Sequence, residues 1–115
     1  MILEPGNKIL AAHRHMFDHD ADRYFLATVE HYEDGIVKAT GYSFAKDEMG
    51  MTMVKKKAPR TKLISLVSGT HLIYQLPDDI DIRAAQITGR DGVWFLADDS
   101  RLSMDLTETM RAPRS

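Results

Sequence analysis

Residues 23–44 read RYFLATVEHYEDGIVKATGYSF. Tyr24, Leu26, Thr28 and Glu30 alternate with Phe25, Ala27, Val29 and His31, the period of two in which extended backbone points side chains to opposite faces. Glu33-Asp34-Gly35 follows as a short polar turn signal, with glycine free to take a positive φ. Ile36 to Phe44 then returns with a similar alternation. Two alternating runs about one Asp-Gly turn predict a β-hairpin, and the interior Gly41 predicts a bulge or bend in its second strand.

The same reading extends outward from the hairpin. KILAAHRHMF (residues 8–17) fits a strand with Leu10, Ala12 and Met16 opposed to Ile9, Ala11 and Phe17. It also fits a short helix, with Ile9, Ala12, His13 and Met16 at helical spacing; with no convincing cap, the strand is preferred. DHDAD (18–22) supplies turn chemistry. Beyond the hairpin, MTMV (51–54) predicts a short strand extending it, and Pro59 ends pairing because it has no backbone donor. Leu63–Val67 and His71–Leu76 are predicted strands meeting at a tight bend at Ser68-Gly69. IRAAQI (82–87), VWFLA (93–97) and RLSMDL (101–106) add short strand candidates. Strands recurring every roughly 8–12 residues between Gly and Asp punctuation predict an all-β fold. The expectation is one domain over residues 1–115: a small, strongly bent barrel (8–79), a C-terminal β-hairpin region (80–107) and a frayed tail (108–115).

RYFLATVEHYEDGIVKATGYSF followed by LISLVSGTHLIYQLPDD resembles the two-part signature of Sm-like proteins, the small bent-barrel subunits of RNA-binding rings. Tyr32, Asp34 and the run Ile36–Ala39 stand where that family has a Tyr-Asp pair, a turn and a hydrophobic returning strand. Leu63–Val67, Ser68-Gly69, Leu72–Gln75 and Leu76–Asp79 follow the order of its second part. Residues 46–60 would be the variable loop between the parts. The resemblance covers about residues 8–79 and implies an Sm-like or SH3-like barrel that assembles with copies of itself. It departs at the uridine pocket: Ile36 or Val37 stands where the family has an Asn, and Ser68 where it has an Arg. A base edge needs such polar partners, so the resemblance implies that the usual RNA pocket is absent.

Composition narrows the function classes. The 115 residues are 43% hydrophobic and 28% charged, with a formal net charge of -2, so no global positive field points to nucleic acid. The absence of cysteine excludes disulfides, thiolate zinc sites and cysteine nucleophiles, and is compatible with a reducing compartment. No leader-like start and no apolar run near the roughly 20 residues of a bilayer span is present, so a cytoplasmic protein without a membrane partner is expected. No cofactor motif, small-molecule substrate or catalytic residue is indicated.

Several groups carry chemistry, each with an ordinary alternative. HRHMFDHDAD (13–22) holds three of the five histidines. On a strand His13 and His15 share a face and can chelate a metal if His19, Asp18, Asp20 or His31 joins them. The ordinary alternative is a hydrated turn, and Arg14 disfavours a cation there. Asp78, Asp79, Asp81, Asp98 and Asp99 are paired carboxylates, but adjacent acids on exposed turns stay hydrated and serve as turn residues. Lys55, Lys56, Lys57, Arg60 and Lys62 place five cations in eight positions, able to hold a phosphate backbone or, more ordinarily, to guard a strand edge from aggregation. Met49, Met51 and Met53 would form one face of a strand, for a core or a subunit interface. Trp94 and Phe95 would point to opposite faces, one of them a candidate partner contact. The expectation is a non-enzymatic binding or scaffold protein forming a homo-oligomer, with RNA as a candidate ligand. The alternatives are a metal-binding protein or metal-dependent enzyme using His13, His15 and His19, and an interaction module of a larger complex.

Overall fold

A computed structural model describes residues 3–13, 23–47, 52–90, 93–98 and 103–106. Among them every regular element is a β-strand: β1 (Lys8–His13), β2 (Arg23–Glu33), β3 (Ile36–Lys46), β4 (Met53–Lys55), β5 (Arg60–Ser65), β6 (His71–Leu76), β7 (Gln86–Arg90), β8 (Val93–Ala97) and β9 (Ser103–Asp105). All pairs are antiparallel. The first six strands form one sheet in the order β4-β3-β2-β1-β6, with β5 also on β3, and β7-β8-β9 form a second. The expected C-terminal hairpin is β7–β8, and β9 extends it to three strands.

The predicted hairpin is β2–β3. Asp34 (φ 50) and Gly35 (φ 79) both lie in the left-handed region, as a two-residue turn matching the strand twist requires. Its register runs from Glu33↔Ile36 to Arg23↔Ala45 and slips once, between Val29 and His31. Glu30 is thus the extra residue of a bulge. The predicted alternation stops there: Tyr32, rather than His31, packs against the core that holds Val29. Gly41 is a close approach, not a bulge. A Cβ there would stand 1.9 Å from the Leu26 carbonyl oxygen and 2.5 Å from Ala27 Cα, so only glycine lets the two strands meet.

Both faces of the large sheet are buried, which explains why its strands read as apolar on both parities. One face gathers Ile9, Ala11, Phe25, Ala27, Val29, Val37, Ala39 and Ile64. The other carries Leu10, Leu26 and Phe44 onto Ile80, Ala85, Ile87, Leu96 and Leu106 from the C-terminal region. Each fully buried Leu or Ile side chain contributes roughly 2 kcal/mol by leaving water.

β3 serves two partners along one edge, β5 over Ile36–Gly41 and β4 over Phe44–Lys46. Pro59 lies between β4 and β5, where the interruption is expected. At the opposite edge of the sheet, β1 pairs with β6, from Lys8↔Leu76 to His13↔His71. The β2–β3 turn and the β5–β6 bend dock together, Leu66 N donating to Gly35 O at 2.7 Å. Among the described residues β5 and β6 do not pair with each other, so each is an edge and the sheet is curled and open. Ile82–Ala84, read as the start of a strand, form a turn instead. Asp81 accounts for it: its Oδ1 accepts from Arg83 N at 3.0 Å and Ala84 N at 3.3 Å. Within the described residues no helix is long and apolar enough to cross a membrane.

Candidate functional site

The basic stretch divides when folded. Lys55 closes the Asp81 turn: its Nζ donates to Ile82 O (3.0 Å), Arg83 O (2.6 Å) and Ala85 O (2.8 Å). The same ammonium lies 4.6 Å from the Tyr42 ring centroid and 5.7 Å from that of Phe44. Burial holds its pKa below the ordinary lysine value, opposed by the nearby Asp81 carboxylate. With three donors on three carbonyls, Lys55 is a clamp between β4 and the C-terminal region. Lys56 and Lys57 stay exposed on the connection to β5.

Arg60 and Lys62 turn to the opposite face of the sheet. Lys62 stands opposite Ala39 and Arg60 opposite Gly41, sharing the parity of buried Ile64. Lys62 Nζ lies 4.7 Å from the centroid of the Phe25 ring, a cation–π contact reached across β3. On the same face β2 begins with Arg23, two residues before Phe25.

His13 meets a histidine that its chain neighbours do not suggest. It stands opposite His71 in the β1–β6 register, and the two rings are 5.1 Å apart at 72°, edge to face. Thr70 Oγ1 is 3.0 Å from His71 Nδ1. Burial, then the neighbouring His13, Lys62 and Arg23 charges, hold His71 below the ordinary histidine value. Lys62 is likewise lowered, by burial first and then by Arg60 and Arg23. Strands β1, β2, β5 and β6 therefore bring five basic side chains to one end of one face. Nothing in the chain order signals this, because the pairing that builds it joins residue 13 to residue 71.

The other candidates lie apart from this cluster. Arg14, His15, Asp18, His19, Asp20, Met49, Met51 and Asp99 fall outside the described residues, as does the segment from 107 onward. His31 is exposed, with Nε2 3.9 Å from Glu33 Oε2. Among the described residues no group of three His, Asp or Glu side chains is placed to hold a metal ion. Met53 and Trp94 pack against the core between the sheets, and Phe95 is half-buried on β8. Asp78 and Asp79 are exposed turn residues, and Asp98 Oδ2 accepts from Asp81 N at 3.4 Å.

No protein-family model matches the chain, and neither a curated protein nor a solved structure matches it.

Proposed function

We propose that this protein is a non-enzymatic binding and scaffold unit of Sm-like plan that assembles with copies of itself. The observation that carries this reading is the pair of edge strands β5 and β6, each with one strand partner among the described residues. β5 exposes Leu63 (73%) and β6 exposes Leu72 (39%). Leu63 stands opposite Lys38 and Leu72 opposite Ala12, so both point away from the concave core that holds Ile64 and Ile73. Pairing β5 of one copy with β6 of the next would continue the sheet, satisfy both rows of backbone groups and set Leu63 beside Leu72 on one face. Such a head-to-tail interface closes into a ring where its rotation permits. Support for the Sm-like part comes from the docking of the β2–β3 turn on the β5–β6 bend, which sets the two parts of the resemblance side by side.

Single-stranded RNA is a candidate ligand of this assembly, held through Lys56, Lys57, Arg60 and Lys62 on β5 and the connection before it. A cytoplasmic setting belongs to the same reading, in keeping with a chain that has no cysteine. Sedimentation velocity across micromolar concentrations tests the assembly: a discrete oligomer is expected, and Leu63→Glu with Leu72→Glu is expected to return a monomer. A folded wild-type monomer throughout would reject the reading. Fluorescence anisotropy with oligouridylate tests the ligand: binding that weakens steeply with salt is expected, and no binding at low salt would remove RNA.

A further inference from the structure

The large sheet is curled tightly enough to bring its two edges within electrostatic reach. In the order β5-β3-β2-β1-β6 a flat sheet would hold β5 and β6 about 19 Å apart. Yet Ile64 of β5 and Ile73 of β6 pack into one core with residues of β1, β2 and β3, and the Lys62 ammonium of β5 lies over Phe25 of β2. The face carrying Arg60, Lys62, Arg23, His13 and His71 is therefore concave, and the five converge at its open end. Among the described residues, the groups acting on His71 are His13, Lys62 and Arg23, and those on Lys62 are Arg60 and Arg23, with no carboxylate among them. The Glu30 carboxylate lies elsewhere, with Lys38 and Thr40 on the other face. Like charges gathered at one place cost stability and attract counter-anions.

We propose that this concave cluster is a binding site for a small oligophosphate, an anion carrying two or more linked phosphates. Its chemistry suits that ligand. Arg23 and Arg60 offer planar forked donors for phosphate oxygens, and Lys62 a point charge. Thr70 Oγ1 lies 3.0 Å from His71 Nδ1; in the tautomer in which it donates there, the neutral ring carries its proton on Nε2 and can donate it to the anion. Ser43, opposite Phe25 in the β2–β3 register, has a buried hydroxyl with no partner among the described residues, one further donor on the same face. A nucleic-acid backbone needs a track of cations along its length; here the cations converge on one spot from four strands. The site goes beyond the scaffold reading and does not depend on it, since edge pairing uses backbone groups and the outward leucines.

Binding is coupled to protons. His71, held below its ordinary value by burial first and then by its cationic neighbours, regains affinity for a proton when an anion neutralises those neighbours. Lower pH therefore strengthens binding, with His71 the titrating group and Lys62, Arg23, Arg60 and His13 the basic groups that face it.

Isothermal titration calorimetry with tripolyphosphate at pH 6 and pH 8, at low salt, tests the proposal. One site per chain is expected, with affinity about tenfold weaker at pH 8, where the charge-assisted bond from the His71 imidazole is lost. Arg23→Gln with Lys62→Gln should abolish binding, while Lys56→Gln with Lys57→Gln, the same change in net charge, should leave it intact. Lys62→Met, which keeps an apolar stem over Phe25, serves as the second variant and should weaken binding without loss of fold by circular dichroism. Equal loss in the Lys56/Lys57 variant, no binding at pH 6, or binding of oligouridylate but not of tripolyphosphate would overturn it. Sedimentation of the same samples separates this outcome from that for self-assembly.

Discussion

Replacing Lys55 with methionine removes the ammonium while keeping an apolar stem against Tyr42. Three carbonyls lose their donor: those of Ile82 and Ala85 are part-buried and that of Arg83 is exposed. Hydrogen bonds to charged groups contribute about 1.5 kcal/mol or more when shielded and less when water can replace the donor, so about 3 kcal/mol is lost in all. With an m-value of about 1.5 kcal/mol/M, that moves the urea midpoint down by about 2 M. Lys55→Arg is expected to recover only part of the loss, because a planar guanidinium cannot direct donors at three carbonyls converging on one point. Lys56→Met, on the adjacent exposed position, should stay within about 0.5 kcal/mol of the wild type. Equilibrium unfolding followed by Trp94 fluorescence reads the effect, since Trp94 packs half-buried against the core between the sheets. If Lys55→Met and Lys56→Met unfold at the same urea concentration, Lys55 is not a clamp and the joint between the two sheets has been misread.

Other substitutions and pH probe separate parts of the fold. Gly41→Ala forces a Cβ onto the Leu26 carbonyl and should cost about 3 kcal/mol or more, a loss visible in thermal melting. Gly35→Ala, at φ 79, should cost about 1–2 kcal/mol, whereas Asp34→Asn, whose side chain tolerates that conformation, should be near neutral in the same melts. His71 is held below its ordinary value, so the unfolded chain takes up a proton first as pH falls. Its contribution is complete above about pH 6.5 and is lost progressively below that value. Urea titrations between pH 7.5 and pH 5 should show that decline, and His71→Asn should flatten it.

The strands were legible because burial on one or both faces enforces a period of two, and Asp34-Gly35 marks the hairpin by backbone conformation alone. The bulge at Glu30 was not: an exposed glutamate suits either register, and only the inward position of Tyr32 reveals the slip. IRAAQI misled because four of its six residues are apolar, while the deciding residue, Asp81, precedes it and bonds the amides of Arg83 and Ala84. Lys55 read as one cation among five, since its role depends on carbonyls 27 to 30 residues away. His13 was grouped with His15 and His19 by chain proximity, yet the side chain beside it in space is His71. Chemistry assembled by β1–β6 pairing leaves no local mark in the sequence.

That pairing is also what turns a meander into a curled sheet whose β5 and β6 edges lack a second strand partner among the described residues, and it can be tested by a disulfide. The chain has no cysteine, so Ala12→Cys with Leu72→Cys, directly opposed in register, introduces the only thiols. Antiparallel partners have Cα atoms about 4.5–5.5 Å apart, within disulfide range. Rapid, complete intramolecular oxidation is expected at dilute protein concentration, while Ala12→Cys with His71→Cys, one residue out of register and on opposite faces, should stay reduced. Efficient bridging in the second pair and none in the first would contradict the strand order, and with it the edge strands and the cationic concave face.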